Sequence, residues 1–109
     1  MSSSLARMEL MAGEEADAVA EAAFEESPGT VITRVPGIVQ IEAEGQLSFT
    51  CALVSEILGR PWTTRELQII MAAYVGNIEQ MDEEGVVLSW QEAVHPAPAR
   101  NPTNGGDPA

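Results

Sequence analysis

From residue 6 to residue 11 apolar and polar positions roughly alternate, with Met8 and Leu10 on one side, the period of a strand with one covered face. Gly13 ends the run and the spacing lengthens. Ala16, Val19, Ala20, Ala23 and Phe24 then recur at intervals of three and four, which predicts a helix over Glu14–Glu26 with those five side chains on its buried stripe. Glu14, Glu15 and Asp17 fall in its first turn, where carboxylates offset the positive end of the helix dipole, and Ser27-Pro28-Gly29 stops it. Period two returns in two β-branched runs, Thr30–Val35 and Gly37–Glu42, joined tightly through Pro36-Gly37. Glu44-Gly45 is the next turn, and Leu47 and Phe49 alternate as a third strand. Three short strands on tight turns predict antiparallel pairing.

Helical spacing resumes over Ala52–Leu58, where Leu53 matches Ile57 and Val54 matches Leu58. Gly59 suits a left-handed cap, and Pro61 blocks continuation. Thr63-Thr64-Arg65-Glu66 reads as a capping box that opens another helix, with the Thr63 hydroxyl on the Glu66 amide and the Glu66 carboxylate reaching back. Leu67–Val75 fits a helix by period and a buried strand by apolar content. Gly76-Asn77 and Asp82-Glu83-Glu84-Gly85 are turn-like, and Val86, Leu88 and Trp90 alternate as a last strand. With no series of parallel crossovers, the order predicts an α+β fold: a small single domain of short antiparallel β-sheets with two to three packed helices. The expected domain is 5–91, and 92–109 is expected to be a flexible Pro/Gly-rich tail.

Composition narrows the function. The 109 residues carry 17 acidic and five basic side chains, all five of them Arg, for a formal net charge of −12. Such a field repels nucleic-acid phosphate and suits association with a basic protein surface. No stretch approaches the ~20 apolar residues of a membrane helix, and the N-terminus lacks the regions of a signal peptide, so a cytoplasmic location is expected. Cys51 and His95 are each unique, which excludes an intramolecular disulfide and a four-ligand structural zinc site.

Candidate chemistry is sparse. Glu92 and His95 have the Glu-x-x-His spacing of di-iron ligands, but such a site needs two copies, and Pro96 follows at once. Asp82-Glu83-Glu84 lacks the alternating donors of a calcium loop and reads as a solvated hairpin turn. Cys51 has no histidine to activate it, and no phosphate-binding glycine loop is present. Met8, Met11, Met71 and Met81, with Tyr74, Trp62 and Trp90, are adaptable and anchoring types that suit either a core or a docking face. No catalytic constellation and no cofactor motif emerge, so the expected mode of action is binding.

An ordered set of segments carries a resemblance. Pro36-Gly37-Ile38-Val39-Gln40-Ile41, then Leu58-Gly59-Arg60-Pro61-Trp62, then Leu67-Gln68, then Gly76-Asn77-Ile78-Glu79 and an acidic turn leading to Val87-Leu88-Ser89-Trp90 resemble the coupling (regulatory) proteins of bacterial multicomponent di-iron monooxygenases. These include those of phenol hydroxylase, toluene monooxygenase and methane monooxygenase. Cys51-Ala52 and Thr63-Thr64 depart from the family pattern and leave the substrate subfamily open.

The resemblance implies a cofactor-free accessory subunit that makes no catalytic or metal site of its own. It implies binding to the large subunit of a di-iron hydroxylase, tuning of oxygen activation, substrate access and coupling of NADH use to hydroxylation or epoxidation, and possible competition with a reductase or ferredoxin component. It also implies that residues 69–78 form a strand pairing with the last one, so that the helix begun at Thr63 ends near Gln68. Arg34, Val35, Met71, Tyr74, Gly76, Asn77 and Glu79 are the expected partner-binding residues. An alternative from another class is an acidic inhibitor that imitates DNA on a nucleic-acid-processing protein, which requires carboxylates gathered on one face.

Overall fold

The alternation at the start of the chain resolves as β1 (Leu5–Met11), with Ala6, Met8 and Leu10 buried and the residues between them half-exposed. The computed structural model describes residues 5–90; Glu92, His95 and the expected tail lie outside the described residues. After β1 come α1 (Glu14–Glu26), β2 (Val31–Val35), β3 (Ile38–Glu44), β4 (Gln46–Thr50) and α2 (Cys51–Leu58). They are followed by α3 (Thr64–Ile70), β5 (Met71–Val75), β6 (Asn77–Met81) and β7 (Gly85–Ser89). The fold is α+β, as the order of periods predicts.

All strand pairs are antiparallel, and they form two sheets: β2-β3-β1-β5 with four strands and β4-β7-β6 with three. The expected pairing of three consecutive strands holds for β2 and β3 and fails for β3 and β4, because the chain changes sheet at Gly45. It changes back across Gly76, which separates β5 in the first sheet from β6 in the second. Residues 69–78 are therefore not one strand beside the last. β5 pairs with β1, β6 pairs with β7, and α3 runs two residues past Gln68 to Ile70. Both corners need glycine, at φ +80° for Gly45 and +131° for Gly76. At Gly76 a Cβ would also stand 2.7 Å from the Ser89 carbonyl oxygen, so the chain has no room for a side chain there.

α1 fills the centre. Its buried residues are Ala16, Ala18, Val19, Ala20, Ala22 and Ala23, a broad surface of small side chains that lets the four-stranded sheet, β4 and α2 approach closely. Phe24, expected on the buried stripe, is instead 62% exposed. At about 100° per residue the stripe drifts, so Phe24 falls beside Asp17 and Glu21 rather than over Ala16. Leu47, Leu67, Leu88, Val54 and Val86 complete the core, each buried Leu contributing about 1.5–3 kcal/mol.

The link between α2 and α3 is a staple. Gly59 caps α2 in the left-handed region, and the Ser55 hydroxyl accepts from the Trp62 amide at 2.9 Å. The Trp62 indole, buried against Phe49, donates to Glu15 at 3.0 Å. Arg60 bridges Glu15 at 3.4 Å and Glu66 at 3.1 Å. Neither half of the expected capping box forms: the Glu66 carboxylate is held by Arg60, and the Glu66 amide donates to the Thr63 carbonyl at 3.0 Å rather than to its hydroxyl.

Candidate functional site

Side chains directly opposite one another in an antiparallel ladder lie on the same face, so the register of the four-stranded sheet gives the composition of each side. One side carries Ala6, Met8, Leu10, Val39 and Ile41 and is covered by α1 and the second sheet. On the other, three rows run across the strands: Val35–Ile38–Met11, Thr33–Gln40–Glu9–Ala73 and Val31–Glu42–Arg7–Val75. No helix among the described residues packs on this side. Val31 (55%), Val35 (51%), Met11 (48%) and Val75 (47%) stay exposed there, four of the seven exposed large hydrophobics among the described residues. An ion pair sits within the last row, Arg7 Nε to Glu42 Oε2 at 2.8 Å. Single exposed Val residues need no explanation, but a cross-strand apolar row with a polar strip beside it has the make-up of a protein-docking patch.

The sequence-predicted contact residues divide between three places. Arg34 and Val35 lie on β2, one edge of the four-stranded sheet, and Met71 and Tyr74 lie on β5, the opposite edge, with β3 and β1 between them. Val35 shares the open face. Arg34 is turned to the helix side, where Nη2 meets Asp17 Oδ1 at 3.1 Å. Met71 and Tyr74 stand opposite Leu10 and Met8, hence on the covered side, although Tyr74 at the edge stays exposed.

Gly76, Asn77 and Glu79 belong to the second sheet and its corner. Asn77 Nδ2 and Ser89 Oγ both donate to Glu79 Oε2, at 3.2 and 2.6 Å, and these bonds, the Ser89 bond foremost, hold the Glu79 carboxyl below its ordinary range. Sequence reasoning missed Val31, Ile38 and Val75 as companions of Val35. The signal was the outward phase of their strands, readable only once the pairing partners are known. Of the flagged Met and aromatic residues, Met8 and Trp62 are core, Met71, Met81 and Trp90 are half-buried, and Met11 and Tyr74 are exposed.

Little in the described residues supports chemistry. No group of three or more His, Cys, Asp or Glu among them is placed to hold a metal ion. Cys51 is buried, its Sγ 3.8 Å from the Asp82 carbonyl oxygen, and burial pushes the thiol up, away from the reactive thiolate. The acidic turn is a clasp: Asp82 Oδ1 accepts from Glu84 N and Gly85 N at 2.9 and 3.3 Å, and the Asp82 carbonyl accepts from Thr64 Oγ1 at 3.2 Å. The Glu84 carbonyl accepts from Cys51 N at 2.9 Å. No helix among the described residues is long and apolar enough to cross a membrane.

The sequence profile of the MmoB/DmpM family matches residues 5–89. This chain belongs to the MmoB/DmpM family. Two solved structures of a phenol hydroxylase–regulatory protein complex contain chains similar to it. One is 26% identical with a TM-score of 0.71 over 80% of this chain and 99% of the other. The second is 26% identical with a TM-score of 0.68 over 79% and 99%. The soluble methane monooxygenase regulatory protein B shares the fold at 16% identity, with a TM-score of 0.63 over 84% of this chain and 68% of that one. In this MmoB/DmpM chain the residues that carried the resemblance mostly build the scaffold. Arg60, Pro61 and Trp62 form the staple, Gly76 the corner and Asp82–Gly85 the clasp.

Proposed function

We propose that this chain is the cofactor-free coupling component of a multicomponent di-iron monooxygenase, and that it docks on the large subunit of the hydroxylase. Family membership supports the regulatory role. So do the 26%-identical chains in complexes of phenol hydroxylase with its regulatory protein, which this chain covers almost end to end. The observation that carries the docking mode is the open face of the four-stranded sheet, where an otherwise acidic chain presents Met11, Val31, Val35 and Val75 around a single ion pair. Val35 lies at one corner of that face, on the edge strand β2 and in the row it shares with Ile38 and Met11. Arg34 on the β2 edge, Met71 and Tyr74 on the β5 edge, and Asn77 and Glu79 on β6 of the second sheet extend the contact, with Gly76 setting the turn from β5 to β6.

A protein without reactive groups changes a reaction only by differential affinity. It binds the reactive hydroxylase conformation more tightly than the resting one, and each ~1.4 kcal/mol of that difference shifts the populations tenfold. Through that shift it tunes oxygen activation, substrate access and the coupling of NADH use to product. The electron-donating reductase or ferredoxin competes for the same hydroxylase surface, and nucleic acid is not a partner. Residues 5–91 act as the domain and 92–109 as an appended tail, and the site of action is the cytoplasm. Reconstitution with the cognate hydroxylase, reductase and NADH tests the proposal. Stimulation of coupled product saturating near one copy per active site is expected; unchanged product and NADH use would refute it.

A further inference from the structure

Sheet edges are templates for pairing unless something blunts them, and three of the four edges here are blunted. β4 is covered by the end of α1: Ser27 Oγ accepts from Ser48 N at 2.7 Å and lies 2.9 Å from Ser48 O, and Glu26 Oε1 accepts from Thr50 N at 2.7 Å. β5 and β6 are bulged. Ala72 has no partner between the Leu10–Met71 and Glu9–Ala73 pairs, and Glu79 has none between Ile78–Leu88 and Gln80–Val87. β2 is different. Its five residues run in unbroken register with β3, and no hydrogen bond among the described residues reaches its backbone from the free side.

Each flank of that edge carries exposed apolar side chains. Val31 and Val35 lie on the open face. On the other, α1 overhangs the edge and leaves an open hollow of about 490 Å³ lined by Asp17, Glu21, Phe24, Ile32 and Arg34. Phe24 is 62% exposed and lines this hollow together with Ile32, an inward-facing residue of β2. Arg34 is already paired with Asp17, whereas Glu21 makes no ion pair among the described residues.

We infer that the free edge of β2 receives an extended segment of the hydroxylase as a fifth strand, which sets an apolar side chain between Phe24 and Ile32 and a basic one against Glu21. The inference rests on the docking reading above and makes it specific. Main-chain hydrogen bonds fix the register, and the hollow and the acid select the side chains. The net charge of −12 favours a basic segment.

The test is amide hydrogen exchange of the full chain, alone and saturated with its cognate hydroxylase, quenched and read residue by residue on the released chain. Alternate β2 amides, those directed away from β3, are expected to slow at least about tenfold in the complex. Phe24→Ala is expected to weaken hydroxylase binding roughly tenfold with its thermal midpoint retained, and Phe24→Leu to restore it. Saturable binding with the outward β2 amides exchanging as in the free chain overturns the strand while leaving the docking intact. So does wild-type affinity in Phe24→Ala. Absence of saturable binding refutes the docking itself, and the strand with it.

Discussion

The two sheets share one core and treat water differently. Across the outer side of the three-stranded sheet run Gln46–Ser89–Asn77 and Ser48–Val87–Gln80, polar except for Val87. The corresponding side of the four-stranded sheet carries the Val35–Ile38–Met11 row. The smaller sheet is also tied at its margins, by Ser27 and Glu26 on β4 and by the Asp82 clasp between β6 and β7, while the larger one leaves β2 bare. Where a sheet serves only stability, outward positions can all be polar at no loss. Apolar rows kept in water point to a surface that is covered in use.

The largest effect is expected where the sheets join. Gly45 and Gly76 are equivalent corners with different surroundings: a Cβ at Gly45 meets nothing within 4 Å, whereas one at Gly76 meets the Ser89 carbonyl at 2.7 Å. Gly45→Ala should cost about 1–2 kcal/mol for the left-handed backbone alone. Gly76→Ala adds an overpacking penalty of about 1–3 kcal/mol, because the atom it meets is main chain and cannot swing aside. Urea unfolding of both variants checks the difference; equal losses would mean that the corners are alike.

Next comes the contrast between the faces. Met11→Lys with Val35→Lys should change stability by less than about 1 kcal/mol in total, both residues being half-exposed, and weaken hydroxylase binding at least about tenfold. Gln46→Lys, on β4 at the margin of the smaller sheet away from Asn77 and Glu79, should leave that affinity unaltered. Titration of hydroxylase stimulation decides between them, and the reverse result would assign docking to the wrong sheet.

How much of this was legible follows from where the information lies. The strand at Met8 and Leu10, the helix over Glu14–Glu26 and the hairpin at Pro36-Gly37 are written in local periodicity and turn chemistry, and they stand as read. The sheet changes at Gly45 and Gly76 were not legible, because a glycine between two strands looks the same whether the chain doubles back or turns a corner. What separates the cases is distant: the Trp90 amide donating to the Gly45 carbonyl at 2.8 Å, and the Ser89 carbonyl packed on Gly76. The candidate face was half legible for the same reason. Val35 was reached through resemblance, but Val75 joins its surface only because β5 crosses to pair with β1.

A smaller effect tests the closed margin. Ser27→Ala removes the hydroxyl that serves both the N–H and the C=O of Ser48. The expected loss is about 1–2 kcal/mol, with faster amide exchange confined to β4. Unchanged exchange there would show that water closes this edge as well as the side chain does, and the contrast with β2 would weaken.

The smallest effect is a pH dependence. Hydrogen bonds from the Gln80 side chain and then from the Glu84 backbone hold the Asp82 carboxyl below its usual 3.8. A depressed folded-state value means that the carboxylate adds stability above the unfolded value and loses it as pH falls through the folded one. The difference in urea midpoint between the wild type and Asp82→Asn should therefore be constant from neutral pH down to about 5 and shrink below about 4. Over the same acid range amide protection, relative to the intrinsic exchange rate at each pH, should fall in the β6–β7 hairpin before the β2–β3 hairpin, whose Pro36-Gly37 turn holds no carboxylate. Should both hairpins loosen together, the two sheets would be one cooperative block, and the clasp would be tying down nothing that the shared core had not already fixed.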